Sequence, residues 1–158
     1  NLSSHYAAIK EKNLTVNELL TIASLVEKEG AKTEDRKLIA GIFYNRLNLG
    51  MPLQSNIAIL YAEGKLGQNI SLSDDAAIDT SINSPYNVYT KVGLMPGPVD
   101  SPSLDAIESS INQTKSEYLY FVANVQDGKV YYATTLEEHD RNVQEHINSK
   151  LPQSNSTN

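Results

Sequence analysis

The sequence predicts an α+β protein, with a helical first half, a long shaped loop, and then a small antiparallel sheet with a closing helix. Three observations support this prediction. Apolar residues recur at helical spacing between about residues 15 and 62. The stretch from about 65 to 102 is rich in Gly, Pro, Ser and Asn and has no clear period, which is typical of a functional loop. Finally, two β-rich runs flank Asp127-Gly128, a dipeptide that favours a hairpin turn.

The first helix has the clearest boundaries. Thr15 and Glu18 have the spacing of a capping box ahead of an apolar run. The helical pattern continues through Glu29 and stops at Gly30, which we interpret as a C′ glycine.

The later elements follow from similar start and stop signals. In chain order we predict a helix from about Thr33 to a stop near Gly50, a short helix Asn56–Ala62 ended by Gly64, a helix over about 103–112, strands Tyr118–Val122 and Val130–Tyr132, and a helix opened by the capping box Thr135/Glu138 that runs through Ile147.

The 158 residues suit one domain. We place it at 14–150, after a lead-in at 1–13 from an upstream region, and before a Ser/Asn-rich tail at 151–158 that we expect to be disordered. No apolar run is long enough to span a membrane, and no signal peptide is recognisable. Since the sequence starts with Asn1 rather than Met, we interpret it as a fragment whose anchor or export signal lies elsewhere in the parent protein.

Composition excludes several classes of function. A net charge of −6 argues against nucleic-acid binding and against electrostatic attachment to a membrane surface. The absence of Cys excludes disulfides and thiolate metal sites. The three His are scattered without metal-binding spacing, and neither a nucleophile elbow nor a phosphate loop is present.

The first helix places one carboxyl group unusually. At about 100° per residue, Glu29 falls between Ile22 and Leu25 on the apolar face, whereas Lys28 points to solvent and Glu27 lies at the margin. Desolvation and the negative end of the helix dipole would both raise the pKa of this carboxyl, as a general acid requires.

Helical spacing alone leaves two interpretations of Glu29 open. It is either such an acid or a helix-end side chain that reaches past the core edge into water. Four loop carboxylates could supply a second acidic group, although loop Asp more often serves turns. They are Asp74, Asp75, Asp79 and Asp100.

Several strings resemble, in order, the blocks of the YceG-like family of endolytic murein transglycosylases, over about residues 15–147. They are Leu20-Thr21-Ile22-Ala23-Ser24-Leu25-Val26-Glu27-Lys28-Glu29, Ile42-Phe43-Tyr44-Asn45-Arg46-Leu47, Gly50-Met51-Pro52-Leu53-Gln54-Ser55, Ser84-Pro85-Tyr86-Asn87-Val88-Tyr89, Gly93-Leu94-Met95-Pro96-Gly97-Pro98, Tyr118-Leu119-Tyr120-Phe121-Val122 and Glu138-His139.

The resemblance implies a lysozyme-like catalytic helix with Glu29 as the single acid/base. It also implies cleavage of the bond from N-acetylmuramic acid to N-acetylglucosamine in peptidoglycan, with a 1,6-anhydro end on the muramic acid. No metal or organic cofactor is expected. The parent protein is expected to be membrane-anchored, with this domain on the extracytoplasmic face, among penicillin-binding proteins and other cell-wall synthesis proteins.

The same resemblance suggests the remaining site residues. For substrate binding they are Gln54, Ser55, Asn56, Tyr86, Asn87 and Tyr89, and for support they are Glu27, Asn45, Arg46 and His139. Arg46 either pairs with a carboxylate near the site or serves the helix structurally.

Two positions depart from the family pattern: Asn56 stands where an Asp is usual, and, as a milder change, Met95-Pro96 stands where Pro-Pro is often found. We interpret this Asn as hydrogen-bonding or capping the following helix in place of the Asp.

Two other functions remain alternatives. The chain could be a muramidase that uses Glu29 and a loop Asp to hydrolyse the same bond. It could also be a non-catalytic glycan-binding or scaffolding module of a cell-wall synthesis complex.

Overall fold

The computed structural model describes residues 14–64, 80–124 and 126–147. Within these ranges the fold is α+β, as predicted. The elements are α1 (Val16–Glu29), α2 (Thr33–Leu49), α3 (Asn56–Ala62), α4 (Leu104–Ile111), β1 (Tyr120–Ala123), β2 (Val130–Ala133) and α5 (Leu136–Asn142), followed by a π-helical turn (Val143–Ile147).

Some predictions concern residues outside the described ranges. These are the lead-in at 1–13, the tail at 151–158 and the loop carboxylates Asp74, Asp75 and Asp79. Residues 80–102, the described part of the predicted loop, contain no helix and no strand.

The chain divides into two compact units between Ser116 and Glu117. We predicted a single domain over 14–150, so the division falls inside it, where the helical half gives way to the strands. The first unit contains α1 to α4, and the second contains the sheet, α5 and the π-helical turn.

Helix α1 is the centre of the first unit, packed against α2, α3 and α4. Its capping box is formed as predicted, with Thr15 Oγ1 accepting from the Glu18 amide and the Glu18 carboxylate accepting from the Thr15 amide. The buried apolar side chains of this unit come from α1 (Leu19, Ile22, Ala23, Leu25, Val26), α2 (Ile39, Ala40, Ile42, Phe43), the turn before α3 (Leu53), α3 (Ile57, Ala58, Ile59, Leu60), the loop (Val88, Met95, Val99) and α4 (Ala106, Ile111).

Two polar residues of α1 are also fully buried. Thr21 and Ser24 satisfy their hydroxyls within the helix, by donating to the carbonyls of Asn17 and Thr21 respectively. The Ser24 hydroxyl also accepts from the Val99 amide at 3.1 Å. Helix α1 is thus enclosed on more than its apolar face, and this bond fixes the loop against it.

Gly30 ends α1 as predicted, but for a different physical reason. Its φ of −125° is extended rather than left-handed. A Cβ placed on Gly30 would lie 3.1 Å from Ile39 Cδ1 and 3.2 Å from Arg36 Cγ. The close packing of α2 therefore favours glycine here, since a larger residue would press on these two side chains. Gly50, by contrast, ends α2 in the left-handed region, at φ 70°.

The second unit is built on a hairpin. Strands β1 and β2 are antiparallel, with Tyr120 opposite Ala133 and Ala123 opposite Val130, and Gly128 takes φ 74° in the turn. The side chains of β1 are half-buried or exposed, since the sheet has two strands within the described residues.

The closing helix also differs from its prediction. The capping box at Thr135 and Glu138 is formed, but α5 ends at Asn142 and continues as the π-helical turn to Ile147. Within the ranges that the structure describes, no helix has the length and apolar character needed to cross a membrane.

Candidate active site

Glu29 is the last residue of α1 and is partly exposed. Its Oε1 lies 3.4 Å from the hydroxyl oxygen of Ser55, which donates a hydrogen bond to it. Burial of the carboxyl group raises the pKa of Glu29 to about 7, and the Ser55 hydrogen bond offsets part of that rise. Glu29 is thus poised to give up and recover a proton near neutral pH.

Ser55 is free to make this contact because it does not cap its own helix. It is the N-cap residue of α3, yet its side chain makes no capping hydrogen bond. The side chain is almost fully buried and directs its hydroxyl to Glu29 instead. Ser55 was predicted as a substrate-binding residue, and its described contact is with the acid itself.

Glu27 lies two residues earlier on the same helical turn, in surroundings that favour the ionised carboxylate. Its Oε1 accepts from the Ser103 amide at 2.7 Å, and its Oε2 forms an ion pair with Arg36 at 3.2 Å. The Ser103 hydrogen bonds, helped by the charge of Arg36, lower the pKa of Glu27. Glu27 therefore stays ionised in a structural network.

That network fixes the end of α1 where Glu29 sits. Arg36 donates to the Gly30 carbonyl at 2.8 Å and also pairs with Asp105 at 2.7 Å. Thr33 donates to the other oxygen of Asp105. The ends of α1, α2 and α4 are thereby connected through one guanidinium group.

Gln54 has an unusual backbone conformation immediately before Ser55. Its φ of 55° is the one positive value at a non-glycine residue in the described ranges, and such strain is often found at functional sites. The Gln54 amide donates to the Val88 carbonyl at 3.1 Å, while its side chain is exposed. Gln54 is thus placed where it could contact a ligand.

Asn56 and Tyr89 form a polar pair next to Ser55. The Tyr89 hydroxyl donates a hydrogen bond to Oδ1 of Asn56. Both residues are partly exposed. The amide of Asn56 therefore holds Tyr89, which agrees with the hydrogen-bonding role that we expected for this Asn.

Asn87 has a different role from the substrate contact that we predicted. It is fully buried, and its Nδ2 donates to the carbonyls of Thr80 and Ile82. Its Oδ1 accepts from the amides of Tyr89 and Thr90. We therefore assign Asn87 to holding the loop that presents Tyr89.

Tyr86 packs on a residue that the sequence did not single out. The rings of Tyr86 and Tyr61 have centroids 4.7 Å apart and are inclined by 49°. Burial and the neighbouring Tyr61 raise the pKa of Tyr86. Tyr61 lies at the end of α3, a position that looked like an ordinary helix terminus in the sequence.

Two of the predicted supporting residues, Arg46 and Asn45, contact backbone carbonyls. Arg46 is buried and donates to the carbonyls of Pro52 and Leu53, which shape the turn leading to Ser55. Asn45 donates to the Ser116 carbonyl at 2.9 Å. These bonds favour the structural interpretation of Arg46.

His139 belongs to the second unit. Its ring stacks on Tyr120, with centroids 5.3 Å apart, so it supports α5 against the sheet.

Asp100 is the one loop carboxylate of the four candidates that the structure describes. Burial raises its pKa, while the nearby charges of Lys28 and Glu27 act in opposite directions. Both its oxygens are shielded from solvent. The pKa of Glu29 is set by burial and by Ser55, with no contribution from Asp100, so the two carboxyl groups do not act as a pair.

Two further contacts could not be seen in the sequence. The ion pair of Arg36 with Asp105 joins residues 69 positions apart, and Val99 is 75 positions from Ser24. No local periodicity predicts such pairs. Within the described ranges, no three His, Asp or Glu side chains are grouped closely enough to hold a metal ion.

The fold is α+β, and its candidate site holds a glutamate with a pKa of about 7 at a helix end. Beside this glutamate are a serine hydroxyl and an asparagine–tyrosine pair. A comparison with known families matches the YceG-like family over residues 1–145. The chain belongs to this family.

Individual relatives agree with the family match. The chain is 82% identical over 151 residues to an endolytic murein transglycosylase of Streptococcus pneumoniae strain D39, covering 96% of this chain and 27% of that protein. It is 38% identical over 149 residues to an endolytic murein transglycosylase of Bacillus subtilis, covering 94% and 40%. The chain thus spans less than half the length of these relatives.

A solved structure also matches the fold. The crystal structure of a YceG-like protein from Listeria monocytogenes has a TM-score of 0.78 and 38% sequence identity, over 89% of this chain and 44% of that one.

Proposed function

We propose that this chain is the catalytic domain of an endolytic murein transglycosylase, which cleaves peptidoglycan glycan strands with Glu29 as its acid/base. The observation that carries the proposal is the position of Glu29, partly buried at a helix end with a pKa near 7 and a hydroxyl partner. The printed names of the pneumococcal and Bacillus relatives support it.

The proposed reaction needs a single carboxyl group. Glu29 protonates the glycosidic oxygen between N-acetylmuramic acid and N-acetylglucosamine, while the bond from C1 breaks through an oxocarbenium-like state. The Glu29 carboxylate then takes the proton from the C6 hydroxyl of the muramic acid. That oxygen closes on C1 as a 1,6-anhydro ring, so no water is consumed.

The residues around Glu29 would hold the strand. Gln54, Asn56 and Tyr89 offer exposed or partly exposed polar groups near Ser55, and Tyr86 offers an aromatic ring further from the acid. The network around Arg36 keeps the end of α1 rigid, so that the carboxyl group stays in position.

Glycan binding without cleavage is the second candidate, and the observation that favours it is Asn56. A neutral amide stands here, hydrogen-bonded to Tyr89, where an Asp is usual in the family that the sequence resembles. Without that carboxylate, the domain would bind glycan strands and leave them intact.

The site of action follows from the substrate. A peptidoglycan-cleaving domain would act on the extracytoplasmic face, in a parent protein anchored to the membrane. Penicillin-binding proteins and other cell-wall synthesis proteins would be its neighbours there.

The product of digestion tests these alternatives. Purified peptidoglycan is incubated with the full chain, and the fragments are analysed by mass spectrometry. We expect 1,6-anhydro-muramyl ends, which are lighter by one water than hydrolytic ends. Reducing muramyl ends would show that the domain is a hydrolase and not a transglycosylase. Intact strands would leave glycan binding without cleavage as the remaining function.

A further inference from the structure

An aromatic pair lies at the far end of α3 from the acid. Tyr61 is 40% exposed although its ring is large and apolar, and it meets the partly exposed ring of Tyr86. The two rings are inclined by 49°, so they form an angled surface rather than a flat stack. Each ring also carries a hydroxyl, which gives the surface polar groups as well as apolar faces.

Helix α3 connects this pair to the active site. It begins after Ser55, which touches Glu29, and Tyr61 lies one residue before its end. Six residues of helix place Tyr61 about 9 Å along the axis from Ser55. The backbone of Tyr61 thus lies further from that of Ser55 than one pyranose ring is long.

Contacts of Tyr86 agree with this placement. Its hydroxyl lies 3.7 Å, and Asn17 Oδ1 lies 3.9 Å, from the point that a Cβ on Gly97 would occupy. Asn17 is in the first turn of α1 and donates to the Pro96 carbonyl. Glu29 lies twelve residues further on, about 18 Å along the axis. The aromatic pair is thus near the opposite end of α1 from the acid.

We propose that Tyr61 and Tyr86 form a sugar-binding subsite for the glycan strand, at least one sugar residue away from the bond that is cleaved. The C–H face of a pyranose packs on a tyrosine ring, and the two hydroxyls bind the hydroxyl or acetamido groups at its edge. This inference rests on the proposed function, since the strand that occupies Glu29 also occupies the subsite.

Such a subsite would make cleavage depend on strand length. A strand long enough to reach from Glu29 to Tyr61 gains binding energy that a short oligosaccharide lacks.

The test compares Tyr61→Ala with Tyr61→Phe in the full chain. On long glycan strands we expect Tyr61→Ala to raise KM by about threefold to tenfold with kcat nearly unchanged. On the shortest oligosaccharide that is still cleaved, the same variant should equal the wild type. Tyr61→Phe keeps the ring and should retain most of the preference for long strands. Leu49→Ala, at a residue 65% exposed elsewhere on the surface, is the matched control.

A binding measurement separates this inference from the proposed function. In a Glu29→Gln background, the affinity for long strands is measured with and without Tyr61→Ala. Weaker binding with Tyr61→Ala supports the subsite even if the wild type cleaves nothing. Unchanged binding and unchanged KM overturn the subsite and leave the cleavage activity standing.

Discussion

The hydroxyl of Ser55 donates to Oε1 of Glu29 at 3.4 Å, across 26 residues of sequence. The first residue before α3 thereby touches the last residue of α1. This contact brings the segment that contains Gln54 and Ser55 to the carboxyl group. It also makes the pKa of Glu29 depend on the Ser55 hydroxyl, which a substitution can remove.

Replacing Glu29 by Gln should abolish cleavage without unfolding the chain. Gln has the same shape and can accept the Ser55 hydrogen bond, but it cannot donate a proton to the leaving group. Loss of a general acid typically lowers the rate by about 10²–10⁴-fold. Turnover of purified peptidoglycan measures the loss, and the melting temperature checks the fold. Normal cleavage by this variant would remove Glu29 from the mechanism.

Activity should fall as the pH rises through about 7, because Glu29 then loses the proton that it must donate. Ser55→Ala removes the hydrogen bond that lowers the pKa of Glu29, so the alkaline limb of kcat/KM should move to higher pH. Ser101→Ala, at an exposed loop position, should leave the pH dependence of kcat/KM unchanged. A downward shift in Ser55→Ala would contradict the assigned effect of this bond.

The same carboxyl group should make stability depend on pH. The folded-state pKa of about 7 lies above the ordinary value of 4.5, so between these values the folded chain keeps a proton that the unfolded chain has released. The free energy of unfolding should therefore decrease from pH 4.5 to 7, by at most about 3 kcal/mol, and level off above that range. Denaturant unfolding of wild type and Glu29→Gln at several pH values isolates this contribution. Parallel curves would show that the pKa is not raised.

Asn87→Ala should loosen the loop that carries Tyr89. The substitution removes two donated and two accepted hydrogen bonds from a fully buried position, and a loss of roughly 1–3 kcal/mol is expected. Cleavage should weaken in parallel, since Tyr89 loses its support. Asn83→Ala, at an exposed position of the same loop, is the control. Equal stability of the two variants would exclude this role for Asn87.

Arg36→Met should destabilise the end of α1. It breaks the bonds to Glu27, Asp105 and the Gly30 carbonyl and leaves two carboxylates without their cation, which we expect to cost about 2–3 kcal/mol for this partly buried group. Arg141→Met breaks an exposed pair with Glu137 and should cost under about 0.5 kcal/mol. Denaturant midpoints of the two variants provide the comparison. A similar small cost for both would mean that the Arg36 network adds little.

Much of the fold could be predicted because its signals are local. The capping box at Thr15 and the left-handed Gly50 are each specified by a few neighbouring residues, so the ends of α1 and α2 were predicted closely. Glu29 stood out because helical spacing places it on an apolar face. Gly30 shows the limit of this reasoning. Glycine is favoured there by contact with Arg36 and Ile39, which are later in the chain, and not by its own backbone angle.

The site was harder to predict because tertiary contacts decide what each side chain does. The polar strings indicated that Asn87 and Tyr89 lie in a functional loop, but only the structure separates a buried amide from a partly exposed ring. Tyr61 became notable only through its contact with Tyr86, 25 residues later in the chain. The family resemblance identifies the sequence motifs, and the packing in the structure shows the role of each residue within them.

The opposed environments of Glu27 and Glu29 also have a practical consequence. Near pH 6, Glu29 is mostly protonated while Glu27, two residues earlier, is ionised and engaged by Arg36 and Ser103. Reagents that esterify only neutral carboxylic acids should therefore modify Glu29 and spare its neighbour. The label should therefore be confined to one of two carboxyl groups on the same helical turn. Peptide mapping would show which of the two carries it.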